Sequence, residues 1–259
     1  MQRTAYLVAV LASLTLVPVG AHGAETTPGP SSTPSTDTKA PAPSTSGAPS
    51  GGGWLLGGAT VGAGQTYFLG EFGWPGIDLS ILHGMNDRFD VGGTFSFVYG
   101  LEGMTSVEHI SGIAPGFKLN AILKLNLLKK AKFNLGLRLN PGFAFYVPSA
   151  NLYVAYGNRF HRDYAMFGIQ FPLEVLAGIV VIDSLSINIG VSVPMVIFFV
   201  PDFSFVLGVQ PGFGLEYKID SSLSLTLDTR FGPDFIMPSG GSSNTEFSFR
   251  ALFGLAYRF

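Results

Sequence analysis

FSFRALFGLAYRF, Phe247 to Phe259, alternates without a break to the final residue. Side chains of a β-strand repeat every two residues, so Phe247, Phe249, Ala251, Phe253, Leu255, Tyr257 and Phe259 share one face. Ser248, Arg250, Leu252, Gly254, Ala256 and Arg258 share the other. One face is oily and the other is wetter. A soluble domain would bury the oily face, whereas a row of aromatics running to the last residue is better explained if that face meets lipid.

Composition extends this reading to the whole chain. Hydrophobic residues make up 47% of it and charged residues 12%, about half the charged fraction of an ordinary soluble domain. Past the N-terminus no uninterrupted apolar stretch approaches the ~20 residues that a membrane-crossing helix needs, so the apolar character is spread over short alternating pieces. Met1-Gln2-Arg3 followed by the apolar run Ala5 to Val19 predicts a secretory signal peptide over 1–24, cleaved after Ala21, Gly23 or Ala24. From Glu25 to Gly53 the chain is Pro, Ser, Thr, Ala and Gly with three charges, which predicts a disordered linker over 25–53. Cysteine is absent, excluding disulfides, thiolate metal sites and a Cys nucleophile. A net charge of -2 with no basic stripe gives no reason to expect nucleic acid as a partner.

Within 54–259 four short polar breaks separate alternating runs: Met85 to Arg88, Lys129 to Ala131, Asp183-Ser184, and Asp220 to Ser222. Each has the composition of a tight hairpin turn. Longer segments lie between the hairpins: Gln65 to Glu71, Leu101 to Ser111, Tyr146 to Arg162, Phe198 to Phe203, and Asp234 to Asn244. The pattern predicts about ten strands, near 54–64, 72–84, 89–100, 112–127, 132–145, 164–181, 185–197, 204–218, 223–233 and 246–259. Prolines at Pro75, Pro115, Pro172 and Pro211 mark strand beginnings, bends or bulges, because proline removes a ladder donor. Alternatively, some of the Pro-Gly pairs are true turns. The expected fold is all-β, a closed antiparallel up-and-down transmembrane barrel with short periplasmic turns and longer extracellular loops. A soluble barrel or a β-sandwich would need a charged outer face that the composition does not supply.

On its closing strand the chain resembles the bacterial outer-membrane β-barrel proteins, a porin-like group whose last strand typically ends in Phe. The resemblance implies that Phe253, Leu255, Tyr257 and Phe259 form an assembly signal read by the barrel-assembly machinery during biogenesis. It also implies the cell outer membrane as location and outer-membrane lipid as partner. It identifies no subfamily and leaves the oligomeric state open.

The wet faces carry Asp78, Asp90, Glu174, Glu216 and Asp228 against Lys118, Lys124, Arg138, Lys218, Arg230, Arg250 and Arg258. Mixed signs inside a narrow barrel predict a lumen-lining network of ion pairs. Phe95, Phe97, Tyr99, Phe143, Phe145 and Tyr146 on one rim, and Tyr217, Tyr257 and Phe259 on the other, are expected to form interfacial girdles. Of the histidines, His83 lies beside a short turn, His109 stands two residues from Ser111 next to Glu108, and His161 precedes Arg162-Asp163. His109 and Ser111 resemble the His-x-Ser arrangement of outer-membrane lipid deacylases but lack its surrounding motif, so they support an alternative reading as a lipid- or peptide-processing hydrolase. The main expectation is a non-catalytic chain with no cofactor and no metal, serving structure or the narrow-pore passage of small solutes and ions, with possible binding by the loops.

Overall fold

The computed structural model describes residues 54–99, 115–147, 165–200, 203–240 and 242–259. Fourteen β-segments follow in chain order: β1 Thr66–Trp74, β2 Gly76–Gly84, β3 Phe89–Val98, β4 Gly116–Lys129, β5 Phe133–Leu139, β6 Gly142–Tyr146 and β7 Met166–Gln170. After these come β8 Leu173–Ile182, β9 Leu185–Val193, β10 Met195–Val200, β11 Ser204–Gly208, β12 Gln210–Lys218, β13 Leu223–Pro238 and β14 Asn244–Arg258.

Eight of the segments are halves of four interrupted strands, β5 with β6, β7 with β8, β9 with β10 and β11 with β12. Every pairing is antiparallel. At the turn end β4 pairs with β5, and at the loop end the same β4 pairs with β6. Likewise β13 pairs with β12 near one end and β11 near the other. β1 pairs with β14, Tyr67 opposite Arg258 and Trp74 opposite Ala251, and this seam closes a ten-stranded barrel.

Three of the four interruptions have a common cause, and the fourth falls at Val209, whose N–H donates to Pro233 O at 3.0 Å. Pro141, Pro172 and Pro194 have no N–H to donate, so the ladder must re-register there. Their carbonyls are still used: Pro141 O accepts from Ala121 N, Pro172 O from Asn140 N and Pro194 O from Gly208 N, at 2.8, 2.9 and 2.8 Å. Half the wall therefore carries a belt of irregularity without losing its hydrogen bonding.

Two sequence expectations are corrected here. Residues 54–64 form no strand, and the first strand is Thr66–Trp74, where a loop over Gln65 to Glu71 was expected. Pro75-Gly76 is a true turn, joining β1 to β2 with Phe72 opposite Ile77. One strand is lost and one gained, so the total stays at ten. Gln65 to Glu71 has the weaker alternation Tyr67, Leu69, Glu71, in which a carboxylate takes an inward position that sequence alone assigns to a loop. The loop-end connections over Phe198 to Phe203 and Asp234 to Asn244 are also shorter than expected, because β10, β13 and β14 run on to Val200, Pro238 and Asn244. Pro211 lies inside β12.

At the turn end the four polar breaks form the hairpin connections. In the last of them Asp220 Oδ1 accepts from Ser222 N at 2.6 Å, Ser222 Oγ at 2.9 Å and Leu223 N at 2.9 Å. Those donors hold its carboxyl below the usual carboxylate range.

The faces are inverted relative to a soluble protein. Ile189 and Phe253 stand on the outside, 51% and 45% exposed, while Asp90, Lys124, Glu216 and Ser186 are buried inside. Leu135 and Leu225 lie on the same outer face, half-buried between neighbours. An apolar exterior with unpaired edges abolished by closure is stable in hydrocarbon and not in water. A Val191→Arg change, on the lipid face near mid-strand, should cost ~2–4 kcal/mol of unfolding free energy measured by urea titration in lipid vesicles.

Candidate functional site in the barrel lumen

Trp54 to Val61 runs through the lumen as irregular backbone, every residue of it buried. Irregular backbone at membrane depth needs partners for its N–H and C=O groups, and wall side chains supply them. Glu216 Oε2 accepts from Leu55 N at 2.7 Å and from Leu56 N at 3.2 Å. Lys124 Nζ donates to Leu55 O at 2.8 Å and to Trp54 O at 3.3 Å. Asn126 Nδ2 donates to Gly58 O at 2.7 Å, and Asp90 Oδ2 accepts from Val61 N at 3.0 Å. Lys218 Nζ sits 3.8 Å from the Trp54 ring centroid, within cation–π range.

The fit leaves no room for a side chain at Gly58. A Cβ there would lie 2.2 Å from Gly136 N and 2.5 Å from Leu176 O, both backbone atoms. Gly62, just beyond, turns the chain toward β1 with φ of +102°, a conformation that favours glycine. Leu55 and Val61 pack with Tyr67, Leu82, Ile122 and Ala256 into an apolar layer at the turn end. The segment is a plug built from the chain's own residues.

Above the plug the charges form one continuous chain of alternating sign. Arg138 Nη1 lies 4.0 Å from Glu174 Oε2, and Arg230 Nη1 bonds Glu174 Oε1. Arg230 Nη2 reaches Asp228 Oδ2 at 3.1 Å, Arg250 Nε lies 3.9 Å from the same oxygen, and Arg250 Nη2 donates to Asp78 Oδ2 at 2.8 Å. Asn140 Nδ2 adds a bond to Glu174 Oε1 at 3.2 Å. Glu174 on β8 and Arg230 on β13 are separated by two strands in the wall, so their contact crosses the lumen. Buried pairs of this kind hold geometry more than they add stability.

Lys118 and Glu71 line a cavity of about 130 Å³ with this belt, between the plug residue Leu56 and the loop-end residues Tyr146, Phe198 and Val206. Arg258 lies at the turn end, opposite Tyr67. The wall at the loop end is apolar on one side, with Val98, Ala144, Tyr146, Met166, Phe198, Val206 and Ile236 in one cluster. Asp234 and Glu246 face each other across β13 and β14 there, with Gln210 Nε2 donating to Asp234 Oδ1 at 3.0 Å.

Sequence reasoning missed the plug, Asn126, Glu71 and the Asp234–Glu246 pair. The signal for the plug was the weak alternation and the Gly57-Gly58 dipeptide. Glu71 and Asp234 were hidden because their segments read as loops, whereas Glu246 opens the expected last strand and was not singled out. Tyr146, expected in the outer girdle, is a correction: it turns inward in the same parity as Ala144 and joins the loop-end cluster. Phe253, Leu255, Tyr257 and Phe259 lie on the outer face at the turn end, Phe259 with its N–H donated to Thr66 O at 2.9 Å. His83 Nδ1 lies 2.8 Å from Thr66 Oγ1, a hydrogen bond at the turn end. Glu108, His109, Ser111, His161, Arg162 and Asp163 lie outside the described residues.

No family model matches the sequence, and no curated protein matches it. Among solved structures the chain is similar to the outer membrane protease OmpT from Escherichia coli, at 9% identity over 75% of this chain and 96% of that one, with a TM-score of 0.42. It is also similar to the in-vitro folded OmpT, an outer membrane protein of Vibrio cholerae, at 11% identity and a TM-score of 0.32. The match covers 75% of this chain and 61% of that one. Likeness at this level concerns architecture and transfers no activity. The expectation of a non-enzyme is withdrawn, as one of these similar barrels is a protease.

The plug geometry predicts the behaviour of Gly58→Leu. The barrel strands should still form, but the side chain cannot enter against Gly136 and Leu176. In a Trp74→Phe background, Trp54 fluorescence should shift to the red and residues 54–61 should become open to added protease.

Proposed function

We propose that this chain is an exported, porin-like outer-membrane barrel that forms a narrow passage for small solutes or ions, held closed by Trp54 to Val61. Export relies on the signal peptide over 1–24, and the linker over 25–53 leads into the plug. The observation that carries the reading is how the plug is attached. It meets the wall through Lys124, Glu216, Asn126, Asp90 and the backbone of Asp87, which accepts from Thr60 Oγ1 at 3.2 Å. None of its residues shares a backbone–backbone hydrogen bond with a described strand. It can therefore leave without opening any ladder of the barrel.

The ion-pair belt sets the character of the passage. Ten strands enclose little room, and alternating arginines and carboxylates across it leave a path for water-sized or small polar species only. Bulk diffusion of the kind seen in wider barrels does not fit this cross-section.

The second reading is a lipid- or peptide-processing hydrolase whose rim residues include His109 and Ser111. It rests on the two-residue spacing of His109 and Ser111, and it needs a histidine base close to a hydroxyl at the loop end.

Planar-bilayer recording separates an open from a closed lumen. The parent should be silent or show rare small steps, and a variant deleted for Leu55 to Val61 should show frequent defined steps. A deletion variant that keeps the heat-dependent gel mobility of a folded barrel yet stays silent would rule out the passage. Incubation of the parent, His109→Ala and Ser111→Ala with lipopolysaccharide and peptide substrates tests the second reading, which predicts a product lost in both variants.

A further inference from the structure

The two hairpin turns that flank the β3–β4 pair carry a surplus of positive charge. Arg88 ends the first, Lys129, Lys130 and Lys132 make up most of the second, and all four are exposed. Asp87 is the one carboxylate in these turns. Among the described residues none of the four cations forms an ion pair. Asn126 N donates to Arg88 O at 2.8 Å, which sets the first turn beside the strand that runs into the second. Val180 N donates to Lys132 O at 2.9 Å, which ties the lysine turn to β8 on its other side. Asp183, in the turn after β8, lies within electrostatic reach of Lys218 on β12.

Next to these cations the outer wall breaks its alternation twice. A register shift between Asn126 and Leu128 on β4 leaves Leu127 and Leu128 both exposed, 51% and 39%. Another between Val180 and Ile182 on β8 leaves Val181 and Ile182 both exposed, 44% and 56%. In a regular strand one residue of each pair would turn to the lumen. β5 lies between β4 and β8, and its Phe133, directly after Lys132, is exposed on the same face. The lysine turn is therefore bordered on both sides by doubled apolar positions.

We propose that this rim is a binding site for an anionic phospholipid in the leaflet at the turn end. The phosphate sits among the four cations, and the acyl chains lie against the side chains that the two bulges turn outward. A zwitterionic lipid offers these cations no net charge, and a soluble acidic partner makes no use of the apolar surface beside them. Each Lys or Arg held near an anionic membrane surface strengthens the attraction by about fivefold. A lysine stem can follow apolar surface while its ammonium stays in the headgroup layer, so one lipid can satisfy both parts of the rim. The site is on the outer wall, so it does not depend on the plug or on the passage reading.

Fluorescence quenching by brominated lipids, with the full chain refolded into phosphatidylcholine vesicles, tests the site. Leu127→Trp in a Trp74→Phe background reports lipid at this rim, because Trp54 is enclosed in the lumen. Tyr257→Trp in the same background reports from β14, on the other side of the barrel. At Leu127→Trp, brominated phosphatidylglycerol should bind at least about fivefold more strongly than brominated phosphatidylcholine, the effect of one such cation. At Tyr257→Trp the two lipids should quench alike. Adding Arg88→Gln, Lys129→Gln, Lys130→Gln and Lys132→Gln should bring the Leu127→Trp ratio close to one, and Asp220→Asn should leave it unchanged. Every variant is first checked for heat-dependent gel mobility. Raising the salt concentration should lower the ratio without any substitution in the turns, because exposed charges are screened. Equal preference at the two reporters overturns the proposal, as does a preference that survives both high salt and loss of the four cations. Release of the phosphatidylglycerol by soluble glycerol phosphate also overturns it, since a site for free phosphate needs no acyl chains.

Discussion

In hydrocarbon no water is present to receive a stray N–H or C=O, so every backbone group at membrane depth must be paired within the protein. The rest of this structure follows from that requirement. A sheet of alternating strands meets it only if its two edges join, and the seam between β1 and β14 joins them. The prolines remove ladder donors at mid-wall. Three strands are divided at Pro141, Pro172 and Pro194 and a fourth at Val209; the outer two of the four lie against the uninterrupted β4 and β13, and these three proline carbonyls stay in use.

The same requirement governs the lumen. A segment with no strand partner can lie there only if side chains take over the role of a ladder, and Glu216, Lys124, Asn126 and Asp90 do so for Trp54 to Val61. These groups read backbone positions, and the closest approach, at Gly58 against Gly136, excludes side chains altogether. Above the plug the charges of the wall neutralise one another across the barrel, so the interior is filled by polar contact where a soluble domain would use apolar packing. Attachment through a few side chains makes the plug separable from the barrel. The functional reading rests on that attachment.

Much of the architecture was legible before any coordinates. The period-two alternation of Phe247 to Phe259 and of the runs after each polar break separates an apolar face from a polar one, and low charge says which of them meets the surroundings. The hairpin turns at Met85 to Arg88 and Asp183-Ser184 and the outward placement of Leu135, Ile189, Leu225 and Phe253 follow from these local signals. The first strand did not. Trp54 to Gly64 and Gln65 to Glu71 have similarly weak alternation, and which of them enters the sheet depends on which one finds Ile77 to His83 and Ala251 to Arg258 as neighbours on both sides.

Alternation is a property of adjacent residues, so the chain by itself determined that it would form strands with one lipid face and one wet face. Which polar groups meet inside is a property of closure. Glu174 and Arg230, 56 positions apart, touch across a lumen that exists only once β1 has met β14. Glu71 and Thr226 approach each other across β14 because Gly254 places no side chain between them. Tyr146 faces inward because β6 carries even-numbered residues toward the axis at a rim where an aromatic residue fits either environment. Only the tertiary structure decided these contacts, because each depends on the distance across a closed ring and not on spacing along the chain.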